Sequence, residues 1–250
     1  MVAVLALSAG PLVAQTTVWV DDDQCPGPGS GTELDPFCQI QDAICSIKDS
    51  GGGTVLVGPG SYNESLRMFP GVSVVSTDGP SVTTIDATGI PCTTSQCVPS
   101  QNNLVCATVV YGSGSTTTDR LEGFRITGGS GLFREFPAAD PPSAIVGGGV
   151  FIFNSSPTIT NNEIVGNILT HATTGDFWGG GIYAFGSSYD TPITPQITNN
   201  LIEGNVADSP EGKKNRETNS FGGGIYLGWY VAANVEGNTI RQNQAGDPAK

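Results

Sequence analysis

The chain is short of charge, and of positive charge above all. Its 250 residues carry 10 Lys+Arg against 23 Asp+Glu, which gives a net charge of −13, and charged residues make up only 13%. Nucleic acids and anionic membranes are bound through clustered Lys and Arg, so both are disfavoured as partners. The 38% of hydrophobic residues suffices for a buried core. With so few charges, the surface must consist of Ser, Thr, Asn and Gly.

The sequence has no apolar run of the roughly 20 residues that a membrane-spanning helix needs. Its N-terminal stretch MVAVLALSAGPLVA (1–14) has instead the length of a signal-peptide core and ends in small residues. No Lys or Arg occurs before Lys48, so the usual basic start is missing, which leaves room for a start further upstream. We predict a secreted or cell-surface protein with a signal peptide over 1–14, the alternative being an ordinary buried strand.

The CxxC pattern is also absent, which disfavours a zinc site or a thioredoxin-type redox site. The six cysteines fit three disulfides in an exported protein. They are Cys25, Cys38, Cys45, Cys92, Cys97 and Cys106.

One helix is predicted, with Asp35 as its N-cap and Pro36 in its first turn. An apolar stripe at helical spacing follows, made of Phe37, Ile40, Ile44 and Ile47, and Gly51 to Gly53 end it. Cys38 and Cys45 would lie about 10.5 Å apart along this helix, too far for a disulfide. We predict Cys25–Cys38 and Cys92–Cys97, with Cys45–Cys106 by elimination.

From residue 121 onward the sequence repeats with a period of 38 residues. Two columns of apolar residues have this spacing: Leu121, Ile159, Ile197 and Val235, and Ile126, Ile164, Ile202 and Ile240. Each copy consists of two short β-branched runs separated by a Gly/Asn corner, as in ITNNEIVGN (159–167) and ITNNLIEGN (197–205). A repeat of this length and composition indicates a β-solenoid.

A second element, GGG followed by an alternating strand, begins at Gly147, Gly179 and Gly222, with spacings of 32 and then 43 residues. One coil is therefore a strand, a variable loop, a second strand, a fixed corner, a third strand and another variable loop. We predict an N-terminal strand and capping helix over 15–53 and the solenoid over 54–250.

Stacked coils place equivalent residues about 4.8 Å apart. Two ladders of Asn at the corners are then predicted: Asn162, Asn200 and Asn238, and Asn167, Asn205 and Asn243. Asn tolerates a left-handed backbone, and its amide can bond to the next coil. The same stacking sets Arg125 beside Glu163 and Glu203 beside Arg241, which we interpret as structural pairs.

These segments resemble right-handed parallel β-helix proteins of the pectate-lyase-like superfamily, in particular the secreted bacterial group with Asn-corner repeats. VWVDDDQCPGPGSGTELDPFCQIQDAI and GGGTVLVGPGSYNESL are similar to that group's N-terminal strand, end-covering helix and PGxYxE turn. The GGGIY and ITNNxIxGN segments are similar to its coils. The resemblance implies an all-β, right-handed parallel β-helix with one N-terminal capping α-helix. It is specific for the fold and poorly specific for chemistry.

A solenoid needs a cap at each end, and the chain provides one only at its N-terminal side. Asn243 ends a coil and only 244–250 follow. We therefore expect an uncapped C-terminal end and a solenoid that continues beyond residue 250.

In the resembling family the substrate groove runs along the outer face of the first strand's sheet. Strand alternation points one set of aromatic residues to this face: Phe151, Phe153, Tyr183, Phe185 and Tyr226. Flat aromatic faces beside polar loops suit sugar rings. The alternative is that loops 130–146, 168–178 and 206–221 fold over this stripe and make it a second core.

Three further groups are candidates for chemistry. Lys213, Lys214 and Arg216 form the only basic cluster in the sequence and suit the carboxylates of a uronate polymer, unless they are a solvated loop tip. His171 with Asp176 is a weak candidate for general acid/base catalysis. Asp21, Asp22 and Asp23 are a possible calcium site, although an acidic turn explains them equally; no cofactor is otherwise expected.

Motifs of the resembling enzymes are missing: there is no RxPxxR, no WxDH, and no GHG with RxK. We therefore favour a non-catalytic scaffold that binds extracellular polysaccharide or a surface protein along the first-strand sheet. The alternative is a lyase or epimerase acting on uronate-containing glycan.

Overall fold

The computed structural model describes residues 16–90, 93–94, 97, 104–105, 107–135, 143–169, 176–208 and 219–246. The predicted signal peptide over 1–14 lies outside them. No helix within these ranges is long and apolar enough to cross a membrane.

The described residues form one α-helix, α1 (Ile40–Ile47), one 3₁₀ turn (Asp22–Gln24) and short strands. In chain order the strands are β1 (Thr16–Val20), β2 (Gly53–Val57), β3 (Gly60–Tyr62), β4 (Leu66–Met68), β5 (Val72–Ser76), β6 (Thr83–Asp86), β7 (Thr93–Thr94), β8 (Leu104–Val105), β9 (Val109–Tyr111), β10 (Arg120–Glu122), β11 (Arg125–Thr127), β12 (Leu132–Glu135), β13 (Ser143–Val146), β14 (Val150–Phe153), β15 (Thr158–Thr160), β16 (Glu163–Val165), β17 (Asp176–Trp178), β18 (Ile182–Phe185), β19 (Gln196–Thr198), β20 (Leu201–Glu203), β21 (Val206–Ala207), β22 (Ser220–Phe221), β23 (Ile225–Leu227), β24 (Asn234–Glu236), β25 (Thr239–Arg241) and β26 (Gln244–Ala245).

Three parallel sheets run along the molecule, and successive coils add one strand to each. Sheet I has the order β4-β9-β14-β18-β23, sheet II β1-β2-β5-β10-β15-β19-β24, and sheet III β3-β6-β11-β16-β20-β25. Equivalent repeat positions pair directly, as Ile159 does with Ile197 and Ile164 with Ile202. The chain is a parallel β-helix, as the 38-residue repeat predicts.

The core is the column of apolar side chains that point inward from the three sheets. Ile126, Ile164 and Ile202 from sheet III are fully buried, and so are Ile159 and Ile197 from sheet II. Each lies on its counterpart from the coil before, so the removal of apolar surface from water favours one register over any slipped one.

Both Asn ladders are confirmed. The backbone N–H of Asn162 donates to Oδ1 of Asn200 at 3.0 Å, and the N–H of Asn200 donates to Oδ1 of Asn238 at 2.9 Å. The second ladder repeats this geometry from Asn167 through Asn205 to Asn243. The inner Asn side chains are buried, so their amides satisfy corner N–H groups that water does not reach.

The left-handed backbone belongs to the residue before each ladder position, which corrects the expectation that one Asn does both. Asn161 and Asn199 have φ of 56° and 57°, and Gly166 and Gly204 take this position at the second corner. The first residue thus turns the chain, and the second points its amide inward. The turning position therefore takes Asn, Gln or Gly, whereas the ladder position needs the amide of Asn.

The two predicted charge pairs are also present. Arg125 Nη1 lies 3.2 Å from Glu163 Oε2, and Arg241 Nε lies 3.0 Å from Glu203 Oε1. All four side chains are at least partly exposed, so each pair contributes at most about 1 kcal/mol.

Helix α1 begins at Ile40, and the prediction of Asp35 as its N-cap is wrong. Gln39 precedes the helix without a side-chain capping bond. The free N–H groups of Ile40 and Gln41 donate instead to the two carboxylate oxygens of Glu64, at 2.8 and 2.9 Å. Glu64 belongs to the turn after β3, so the first coil itself caps the helix.

Two disulfides tie the N-terminal part together. Cys25–Cys38 is confirmed, with the Cα atoms 5.1 Å apart. The predictions of Cys92–Cys97 and Cys45–Cys106 are wrong, because Cys97 bonds to Cys45 with a Cα separation of 5.6 Å. Cys45 lies on the flank of α1, where a chain segment 52 residues away reaches it, so proximity in sequence is a poor guide. Cys92 and Cys106 lie outside the described residues.

The two ends of the solenoid differ. Helix α1 packs against β1, β2 and β4 with Ile40, Ile44 and Ile47 buried. In the last described coil, Val235 and Ile240 occupy the inward columns and are exposed. This face is open in the described residues. Continuation beyond residue 250 stays a prediction.

Replacing Asn200 by Ala should destabilise the protein by about 2–4 kcal/mol, because the N–H of Asn162 and the carbonyl of Ile159 lose a buried partner. Asn199→Gly is the matched control. It changes the adjacent residue at the left-handed position, where Gly is unstrained, and should shift stability by less than about 0.5 kcal/mol. Urea unfolding measures both; equal losses would contradict the division of roles.

Stability should depend on pH through Glu64. Burial raises the pKa of this carboxyl from 4.5 to about 7, against the opposing effect of its two N–H donors. Between these values the unfolded chain is ionised while the folded protein holds the proton, so the free energy of unfolding should fall as pH rises from about 4.5 to about 7.

The change is at most about 1.4 kcal/mol per pH unit. Urea titrations at several pH values measure it, with Glu64→Gln as the variant that cannot titrate. An unchanged pH profile in that variant would show that the dependence arises elsewhere.

Candidate functional site

The predicted aromatic stripe exists on the outer face of sheet I. Phe151, Tyr183 and Tyr226 pair in register on consecutive strands. Their rings stack in parallel with centroids 5.7 Å apart at each step. Strand alternation therefore predicts the direction of these side chains correctly.

Most of this stripe is covered. Strands β12, β13, β17 and β22 form a fourth sheet, here called the cover sheet, from segments that the sequence suggests are loops. Its residues Leu132, Val146 and Trp178 pack on the stripe and leave Phe151 4% and Tyr183 1% exposed. The alternative of a second core therefore applies to these two residues. Strands β13, β17 and β22 form because each lies beside its counterpart in the neighbouring coil, as Ile145 does beside Phe177. Strand β12 pairs instead with β13 of its own segment, in the antiparallel direction.

The surroundings of Tyr183 and Tyr226 suit a structural role for their rings. Burial raises the pKa of Tyr183 above its usual range, and burial followed by the nearby Asp176 raises the pKa of Tyr226. Both phenols therefore stay protonated at any physiological pH. Trp178 lies against both rings, with centroids 6.1 and 5.7 Å away.

A second line of aromatic residues lies at or just beyond the ends of the same strands, and its Phe153 and Phe185 pack against the covered core. Phe153 and Phe185 stack with centroids 5.8 Å apart and an interplanar angle of 7°, and Trp229 lies 5.9 Å from Phe185. Phe153 and Phe185 are half-buried, whereas Trp229 is 56% exposed. We call Phe153, Phe185 and Trp229 the aromatic row.

One cation lies over this row. The guanidinium of Arg134, from β12 of the cover sheet, is 5.3 Å from the ring centroid of Phe153 and 5.8 Å from that of Phe151. A guanidinium over an aromatic face is favourable and keeps its N–H donors at the edge of the ring. A flat apolar surface and a fixed positive charge thus lie side by side.

Sequence reasoning missed Trp229 and Arg134. Trp229 follows β23 by two residues, so strand alternation does not assign it to a face. Arg134 belongs to a segment expected to be a loop. The signal for Trp229 was its place in GWY, directly after an aromatic strand of the repeat.

Of the predicted acid/base pair and the basic cluster, only Asp176 lies within the described residues. His171, Lys213, Lys214 and Arg216 lie outside the described residues. Asp176 is buried in β17, where its Oδ1 accepts a hydrogen bond from the backbone N–H of Asn219 at 2.7 Å. This bond joins neighbouring segments of the cover sheet.

The acidic turn Asp21 to Asp23 has carboxylate oxygens within 4.8 Å of one another. Asp21 accepts from the N–H of Asp23 at 3.0 Å, and Asp22 accepts from the N–H of Ser61 at 2.8 Å. Two of the three carboxylates therefore stabilise the local backbone, and calcium binding stays a prediction.

Three stacked parallel sheets with ladders of Asn at their corners define the architecture. The chain has a parallel β-helix fold. No protein family and no curated protein matches the sequence.

Two solved structures are similar to the chain. Pectin methylesterase PemA from Erwinia chrysanthemi is 14% identical over 80% of this chain and 58% of its own, with a TM-score of 0.41. A pectin methylesterase mutant in complex with a hexasaccharide is 15% identical over 81% of this chain and 58% of its own, with a TM-score of 0.39. The chain thus spans less than two thirds of either protein. The likeness concerns the fold alone.

Removal of a covered ring should cost far more stability than removal of an open one. Tyr183→Ala should lower the free energy of unfolding by about 3–5 kcal/mol, because it empties a buried, stacked site. Trp229→Ala should cost less than about 1 kcal/mol because its side chain is mostly in water. Denaturant unfolding measures both, and similar losses would contradict the distinction between covered stripe and aromatic row.

Proposed function

We propose that this protein is a secreted or cell-surface scaffold that binds extracellular polysaccharide without catalysis. The aromatic row is the binding surface. The observation that carries the proposal is the placement of three rings, at steps of 5.8 and 5.9 Å, on three consecutive coils of a rigid solenoid.

Sugar rings present flat C–H faces, which pack well against aromatic side chains, while their hydroxyls stay in water at the edges. The β-helix repeats its coils at a fixed spacing, so the rings have little conformational freedom left to lose on binding. Phe153 and Phe185 are parallel, and the exposed ring of Trp229 is tilted by 60° from that of Phe185. An extended polymer gains from such an array because each additional contact is made at low entropic cost.

Arg134 favours a glycan that carries carboxylates. Its guanidinium can donate two parallel hydrogen bonds to one carboxylate, and the face of Phe153 holds it in place. The net charge of −13 disfavours non-specific attraction of such a polymer, so recognition would depend on this local cation. Lys213, Lys214 and Arg216 are further proposed contacts.

Export fits this function. Cys25–Cys38 and Cys45–Cys97 are bonds that persist in an oxidising compartment. The predicted signal peptide over 1–14 supports the same location.

A lyase or epimerase acting on uronate-containing glycan is the second candidate, and the position of Arg134 favours it equally. One assay distinguishes the two functions. Incubation with polygalacturonate and other uronate polymers should leave the ultraviolet absorbance of unsaturated product at background and the polymer unchanged if the protein only binds.

Native gel electrophoresis in the presence of soluble polysaccharides tests the binding surface. We expect retardation of the wild type and at least a tenfold weaker effect for Trp229→Ala, because the most exposed ring of the row is lost. Leu34→Ala is the control, since it removes an exposed apolar side chain in the N-terminal region. Equal retardation of Trp229→Ala and wild type would refute the aromatic row as the binding surface.

A further inference from the structure

Tyr230, in the turn after β23, and Tyr189, in the segment after β18, form a second pair of aromatic rings that the aromatic row does not include. Tyr230 lies against Tyr189 with centroids 6.2 Å apart and an interplanar angle of 83°. Tyr189 is 82% exposed and Tyr230 is 42% exposed. Two large rings from neighbouring coils thus face water.

The backbone of Tyr230 is strained. Its φ is 57°, in the left-handed region that Gly and Asn adopt readily and that is an outlier for a bulky side chain. The other described non-Gly residues with positive φ are Asn or Gln. Tyr is therefore the unusual choice at this position.

Contacts from the preceding coil hold the turn in this conformation. The N–H of Gly186 donates to the carbonyl of Trp229 at 2.9 Å, and the N–H of Ile193 donates to the carbonyl of Tyr230 at 3.0 Å. A Cβ at residue 186 would lie only 2.5 Å from the carbonyl oxygen of Tyr230, so Gly is required there. The strain is thus maintained by the surrounding structure.

Packing explains only part of the choice of tyrosine at the strained position. The ring contacts Tyr189, which is itself mostly in water, and Tyr230 keeps 42% of its surface exposed, so burial offsets only part of the strain in the backbone. Strained residues of this kind occur where the side chain contributes to function. The tyrosine is then explained by what it contacts outside the chain.

The charge around the pair indicates the kind of ligand. Asp190 is the only charged residue in the described segments 186–195 and 228–233. A carboxylate accepts hydrogen bonds from sugar hydroxyls and repels a carboxylated sugar, and the tyrosine hydroxyls add both donors and acceptors.

We propose that Tyr189 and Tyr230 form a second glycan site that binds an uncharged pyranose, with Asp190 as an acceptor for its hydroxyls. This site differs from the aromatic row in charge: the row has Arg134 at its edge, and the tyrosine pair has Asp190.

Tyr230→Asn is the decisive variant, because Asn removes the ring and adopts the left-handed backbone with little strain. We expect its melting temperature to equal or exceed that of the wild type. We also expect at least a tenfold weaker retardation in native gels that contain xylan, galactomannan or a soluble β-glucan. Tyr189→Ala should weaken retardation by the same polymers, and Leu34→Ala should not.

Polygalacturonate in parallel gels separates this inference from the proposed function. Retardation of the wild type by polygalacturonate but by none of the neutral polymers would overturn the second site and leave the aromatic row standing. Full retardation of Tyr230→Asn by a neutral polymer would overturn the second site, as would a lower melting temperature with unchanged binding. Retardation by neutral polymers that Tyr230→Asn loses and Trp229→Ala keeps would support the second site independently of the row.

Discussion

The hydrogen bond from a corner N–H to the Asn side chain of the next coil is the interaction on which the solenoid depends. It connects each coil to its neighbour at a point where the chain turns and sheet pairing is interrupted. Because the ladder amides are buried, a coil displaced by one residue would leave both the amide and the N–H unsatisfied. The ladder thereby keeps the strands of sheets II and III in register, and the inward Ile columns in contact.

That register also determines which side chains lie next to one another on the outer surface. Side chains at equivalent outward positions repeat along the axis, so an aromatic residue placed on several coils becomes a line of stacked rings. Part of the line is covered by the cover sheet and contributes to stability. The part at the strand ends is less covered and has Arg134 over Phe153.

The repeat was the part of the structure most open to prediction, because a fixed period of 38 residues places Asn200 on Asn238 and Arg125 beside Glu163 with no further information. The features that were missed have no period. The cover sheet is built from strands of two to four residues in segments of unequal length, and Glu64 caps a helix 24 residues before it. The Cys45–Cys97 bond spans 52 residues across α1. Contacts of this kind join segments that are distant in sequence, so a local sequence pattern does not indicate them.

The unequal spacing of the GGG strands has a consequence for how such a protein can change over time. Successive first strands are 32 and 43 residues apart, while the corners of sheets II and III keep their 38-residue interval. Differences in length are therefore absorbed on one side of the molecule, away from the ladders and the inward columns. Insertions there reshape the outer surface beside sheet I without altering the pitch of the coils. That surface can diverge rapidly on a scaffold that stays the same.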